Sequence, residues 1–258
     1  MPAIRRSAVA VAVAALALAP AAALGITTTG FADNGLHPNV GAMLTRLDDG
    51  SYAQVCSVTL VSPTVVVTAS HCTSFVAADT RPDFVTFDET LTAAPAVIAA
   101  TPVTNPLYRR GYRDDVSVMV LARPVTGITP ALLPPLGYLD TAGLRQSTRL
   151  TTVGYGTQEQ RIGGGPPTFP DTTGRGYGIG GFNSLTKEWL SMSQVPALGD
   201  SGACYGDSGG PTFLGAAPAD GDTVVAVTST GDTPCYATNV SSRTDTPSAR
   251  ALLSRFGL

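Results

Sequence analysis

The chain has 258 residues, 43% hydrophobic and 14% charged, with a formal net charge of −3. That length holds one large domain or two small lobes sharing a site. The composition excludes a disordered chain, and the charge balance, with no Lys/Arg block, gives no ground for a nucleic-acid or membrane-surface partner.

Arg5 and Arg6 precede an almost unbroken apolar run, Ser7 to Leu18, and small residues fill Pro20 to Gly25. This is the pattern of a secretory signal peptide over residues 1–25, and the run falls short of the ~20 residues of a membrane span. No later stretch reaches that length, so the mature protein is expected to be secreted, extracellular and free of the membrane. Past residue 25 the pattern turns to short strands. Val40 to Leu47, Gln54 to Val61, Thr64 to Thr68, Val116 to Leu121, Leu150 to Tyr155 and Thr223 to Thr230 are apolar or rich in Val and Thr. Turn clusters such as Ser62-Pro63 separate them, which points to a β-barrel or sandwich. The Gly/Pro-rich stretch from Gly163 to Gly181 is expected to be an irregular loop. Thr246-Pro247 is a helix-start pair, and Ala249, Leu252, Leu253 and Phe256 follow on one helical face, predicting a short C-terminal helix.

Four cysteines stand as two local pairs, Cys56 with Cys72 and Cys204 with Cys235. Spacing alone leaves all three connectivities open. A zinc site is disfavoured, because no C-x₂-C spacing occurs and there are only two histidines.

Gly206-Asp207-Ser208-Gly209-Gly210-Pro211 is the sharpest motif. A hydroxyl nucleophile needs an exposed turn, small neighbours and backbone N–H groups aimed at a developing oxyanion. The string also fits G-x-S-x-G, but α/β-hydrolases place their histidine after the serine. Here His37 and His71 both precede Ser208. His71 follows a Val-rich strand beside Cys72 and is the candidate base, whereas His37, before Pro38, reads as structural or surface-bound. Asp115 opens the apolar run Val116 to Leu121 and is the candidate orienting carboxylate; its rival Asp114 reads as a solvated turn residue.

Together these strings resemble the chymotrypsin/trypsin-like secreted serine peptidases. Thr68-Ala69-Ser70-His71-Cys72 is similar to the family's T-A-A-H-C, and Asp115 to Leu121 to its D-I-A-L-L-x-L. Cys204 to Pro211 matches its serine motif, and Val227 to Gly231 resembles its I-V-S-W-G strand. The order His, Asp, Ser is the one in the family's standard triad. The resemblance implies an all-β fold of two six-stranded antiparallel barrels, residues 26–145 and 146–245, with a C-terminal helix over 246–258. It implies a catalytic triad of His71, Asp115 and Ser208, and an oxyanion hole from the N–H groups of Gly206 and Ser208. Disulfides Cys56–Cys72 and Cys204–Cys235 follow from it, as does a specificity pocket containing Gly202 and Ala203. Ser229 would lie behind the His–Asp pair, and Ser229, Thr230 and Gly231 would bind substrate backbone. Such an enzyme hydrolyses peptide or protein substrates through an acyl-enzyme, without cofactor or metal, and is expected to be a monomer. An esterase, or a binding protein retaining the fold, are the alternatives.

The chain departs from the family in places. Ser57-Val58 replace two glycines after the first cysteine, and Thr230 replaces an aromatic. Gly202 stands where trypsins carry an acid, so cleavage after Arg or Lys is not expected unless Asp200, Asp232 or Asp245 reaches the pocket. Small or apolar residues before the cut are expected instead. Asn239-Val240-Ser241 fits a glycosylation acceptor. Ile26 resembles the family's mature N-terminus, which pairs with Asp207. Because Ala23-Leu24-Gly25 suits signal peptidase, one cut after Gly25 is expected to release it, and a chain cut after Ala23 is expected not to fit the N-terminal pocket.

Overall fold

The computed structural model describes residues 25–77, 83–161, 163, 166–216 and 223–258. The signal-peptide reading therefore lies outside the described residues. Thirteen strands are present: β1 (Phe31–Ala32), β2 (Val40–Arg46), β3 (Tyr52–Ser62), β4 (Val65–Ala69), β5 (Asp83–Thr86), β6 (Ile98–Val103), β7 (Val116–Leu121), β8 (Arg149–Gly154), β9 (Gly176–Leu185), β10 (Trp189–Ser193), β11 (Pro211–Leu214), β12 (Ala226–Gly231) and β13 (Thr238–Arg243). Three α-helices accompany them among the described residues: α1 (Ser70–Ala77), α2 (Tyr138–Thr141) and α3 (Pro247–Leu253).

The first barrel closes in the order β2-β3-β4-β7-β6-β5. The second runs β9-β10-β13-β12-β11-β8 and closes through the β8–β9 pairing, with β1 added outside β9. All the strand pairs are antiparallel. The two six-stranded barrels and the C-terminal helix implied by the motifs are thus present.

The unbroken apolar character of β7 has a simple cause. Val116 and Val118 pack between the barrels with Phe213, Val227 and Leu253. Met119 and Leu121, pointing the other way, fill the first barrel with Leu60 and Val66. Side chains alternate across a strand, so burial on both faces demands a continuous run. Leu150, Leu190 and Val225 fill the second barrel.

Two expectations need correction. The stretch from Gly163 to Gly181 is not loop throughout, because β9 begins at Gly176. Its glycines are there for close approach: a Cβ on Gly180 would stand 2.0 Å from the Ser193 carbonyl oxygen. The N-terminal residues, assigned with the first barrel, lie instead on the second. The Gly25 N–H donates to the Gly174 carbonyl, and β1 pairs with β9.

Candidate active site

His71 is not at a strand end but in the first turn of α1, directly after β4. Its backbone N–H donates to Asp115 Oδ1 at 2.7 Å, and its Nδ1 lies 2.8 Å from Asp115 Oδ2. Asp115 is fully buried at the start of β7, and β4 and β7 are paired, with Ala69 opposite Val116. Ladder register therefore fixes the carboxylate against the ring. With Nδ1–H donating to Asp115, the ring's Nε2 is left as the basic nitrogen. Asp114, the rival, sits at φ +53° one residue earlier and contributes only its carbonyl, which accepts from Ser70 Oγ.

Ser208 lines the same cleft as His71, of about 740 Å³. Gly209 lets the two segments meet. It sits at φ +80°, and a Cβ there would stand 2.0 Å from Thr68 Oγ1 and 2.9 Å from the Ala69 nitrogen. The Ser57 N–H donates to the Ser208 carbonyl at 2.8 Å. No hydrogen bond joins His71 Nε2 to Ser208 Oγ; such contacts are often long before substrate arrives.

The Tyr205 carbonyl accepts from Thr157 N–H, and the Asp207 carbonyl from Gly210 N–H. In a trans peptide the N–H points opposite to its carbonyl. The N–H groups of Gly206 and Ser208 are thereby turned away from those donors, and neither has an acceptor among the described residues. Gly206, at φ +92°, offers its own carbonyl to Gln54 Nε2 at 2.7 Å and Ser57 Oγ at 3.2 Å. Sequence reasoning noted Ser57 only as a departure and passed over Gln54; their role depends on the contact between β3 and the serine loop.

Asp207 is wholly buried. Its carboxylate accepts from the N–H groups of Gly156 (2.7 Å), Cys204 (2.8 Å) and Ile26. Burial pushes its pKa up to about 7 despite these donors. Gly25 is buried in a glycine-lined slot, where a Cβ on Gly25 would stand 2.3 Å from the Gly154 oxygen. Thr27 N–H donates to the Gly202 carbonyl, and Gly202 N–H returns to Thr27 Oγ1.

The disulfides are Cys56–Cys72 and Cys204–Cys235. Cys56, His71 and Cys72 form a tight group, but both sulfurs are spent in a disulfide and offer no thiolate to a metal. Ala203 and Ser229 to Gly231 line the cleft, and Gly202 lies beside Ala203. Beyond Thr228, β12 pairs only with β13, which leaves its other edge open. The Ser229 hydroxyl is hydrogen-bonded to Val227 O at 3.3 Å and Ser242 Oγ at 3.0 Å. His37 is buried and bonded to Asp33, which also pairs with Arg175 at 2.7 Å. Asn239 is buried in β13, so the folded chain does not present it as a glycosylation acceptor. The cleft also carries exposed aromatics that no motif flagged: Phe75, Tyr205 and Tyr112, the last edge-on to His71 at 5.3 Å.

The family model described as Trypsin matches residues 34–251. The chain belongs to the trypsin family. A protein named Trypsin from Saccharopolyspora erythraea is 30% identical over 213 residues, covering 76% of this chain and 82% of that one. A solved structure of HL collagenase shares the fold, with a TM-score of 0.66 at 17% identity, covering 92% of this chain and 98% of its own. As a member of the trypsin family this chain is a serine endopeptidase, a hydrolase of peptide or protein substrates.

Proposed function

We propose that Ser208 is the nucleophile, His71 its general base and Asp115 the carboxylate that orients the imidazole. The observation that carries this reading is the His71–Asp115 hydrogen bond on the same cleft as Ser208 and two N–H groups without acceptors. Ser208 Oγ attacks the peptide carbonyl and His71 Nε2 takes its proton. The N–H groups of Gly206 and Ser208 receive the oxyanion, and the imidazolium returns the proton to the leaving amine. Water, deprotonated by the same nitrogen, then releases the acyl group from Ser208. The open edge of β12 at Ser229 to Gly231 takes the substrate backbone as an added strand, with the pocket beside Gly202 and Ala203. No cofactor enters these steps. A serine-directed fluorophosphonate should label Ser208 once, by peptide mass spectrometry, and Ser208→Ala should lose both labelling and peptide hydrolysis. Persistent labelling of that variant would overturn the assignment. Parallel assays on a protein and a short-chain ester separate a peptidase from an esterase.

The protein acts as a secreted monomer over residues 26–258. Two disulfides suit an oxidising compartment. A cut after Gly25 frees Ile26 to meet Asp207 as an ammonium. Ile26 supports that cut, because it stands at φ +87° in the uncut chain. That region costs a β-branched residue on the order of 1–3 kcal/mol, and hydrolysis of the Gly25–Ile26 bond removes the carbonyl that makes it unfavourable. N-terminal sequencing should read Ile26 first.

A further inference from the structure

We propose that Asn239 forms the floor of the specificity pocket and selects a carboxamide side chain, glutamine or asparagine, for the residue before the scissile bond. This rests on the reading of Ser208 as nucleophile. Asn239 lies on β13 directly across from Gly231, which contributes no side chain to that wall. It lines the cleft while only 1% exposed. Its amide nitrogen Nδ2 is buried and has no hydrogen-bond partner among the described residues. A buried N–H left unpaired is costly, so a substrate oxygen that draws this amide toward the cleft supplies the acceptor it lacks. Gln194, one residue past the end of the neighbouring strand β10, also holds a buried oxygen, Oε1, without a partner among the described residues, against Gly202. A carboxamide carries both a donor and an acceptor, so it pairs with Asn239 whichever way that amide is turned.

The carboxylates around the pocket are engaged with other groups. Arg149 Nη2 stands 2.7 Å from Asp200 Oδ1, at an angle too poor for a hydrogen bond but close enough to neutralise it. Asp245 is taken by Arg243 at 2.8 Å. Asp232 borders the cleft, but its oxygens accept from the N–H groups of Tyr236, Ala237 and Thr238. Of these three carboxylates only Asp232 lines the cleft, and its oxygens are already held by three backbone N–H groups, which disfavours a guanidinium or ammonium at the floor. A purely apolar side chain would leave the Asn239 amide unsatisfied, so the broader expectation of small or apolar preference narrows to a neutral polar one.

The test is kcat/KM on peptides identical except before the cut, where Gln, Asn, Met, Leu, Arg and Lys are compared. Methionine matches glutamine in length without its hydrogen bonds. The secreted protein should cleave after Gln or Asn at least about tenfold better than after Met or Arg, the worth of roughly one hydrogen bond. Asn239→Leu should bring the Gln-to-Met ratio close to one. Asn239→Asp should raise cleavage after Arg. A wild-type profile with Met equal to Gln, or with Arg preferred, overturns the inference whatever the variants do. Failure of Ser208 to label would instead overturn the nucleophile assignment, so the two failures are distinguishable.

Discussion

Gly206 is fastened on both sides of its α-carbon. The peptide before it is held by Thr157 N–H on the Tyr205 carbonyl, and the peptide after it by Gln54 and Ser57 on its own carbonyl. Ser57 does double duty, because its Oγ also accepts the Tyr155 N–H at 3.2 Å. In this chain two polar side chains of β3 therefore set the ψ of Gly206 and the aim of the oxyanion donors. Gln54→Leu should lower kcat about tenfold, equivalent to one hydrogen bond, with KM within about twofold. Steady-state kinetics on one good peptide substrate checks this. A rise in KM at constant kcat would place Gln54 in ground-state binding instead. The substitution leaves the Ser57 bond in place, so the loop is loosened rather than freed.

At the level of elements, α3 shows how a short helix is held. Thr246 Oγ1 accepts from Ala249 N–H, Pro247 starts the turn, and Ala249 and Leu253 enter the core between the barrels. Leu253→Ala should cost about 2–5 kcal/mol and Thr246→Ala about 1 kcal/mol. Thermal unfolding should rank them in that order, at roughly 2–4 °C per kcal/mol for a protein of this size. This helix was legible in the sequence because its cap and its period agree. So was β7, whose run coincides with its observed limits, and so were the residues of the proposed triad, whose motifs are local. Other elements were hidden for physical reasons. The glycines of β9 read as loop because what they serve is the Ser193 carbonyl, across the sheet. The short strand β5 carries Asp83 at its start and borrows its stability from β2 and β6. α1 is eight residues with little apolar periodicity, so His71 read as the end of a strand. Asn239 has no motif at all; its place is set by register with Gly231.

At the scale of the whole molecule, the first described residues complete the second barrel. Thr27 bonds Gly202, Thr28 bonds Glu159, Thr29 Oγ1 donates to the Asp200 carbonyl, and Ile26 meets Asp207. Asp207 makes this junction sensitive to pH. While Ile26 is an internal amide, burial holds the carboxyl at about 7, above its ordinary 3.8. Between those values the unfolded chain binds fewer protons than the folded one. Stability from this group is therefore full below about pH 4 and is lost as pH rises through 7, by at most roughly 4 kcal/mol. A free Ile26 ammonium stabilises the carboxylate and removes that loss. Chains beginning at Leu24 and at Ile26, both carrying Ser208→Ala, should then differ. Between pH 4.5 and 8 the Tm of the first should fall relative to the second, on the order of 10 °C at the upper bound. Parallel curves would show that the ammonium does not reach Asp207.

The contact between Thr27 and Gly202 spans 175 positions. The ribosome finishes Thr27 long before it makes Gly202, and closing so distant a pair is entropically slow. The brace between Thr27 and the pocket's wall therefore waits until most of the chain has been made. A chain that stops short of Gly202 has neither its serine loop nor the wall that Thr27 braces, so the site forms only as the chain nears completion.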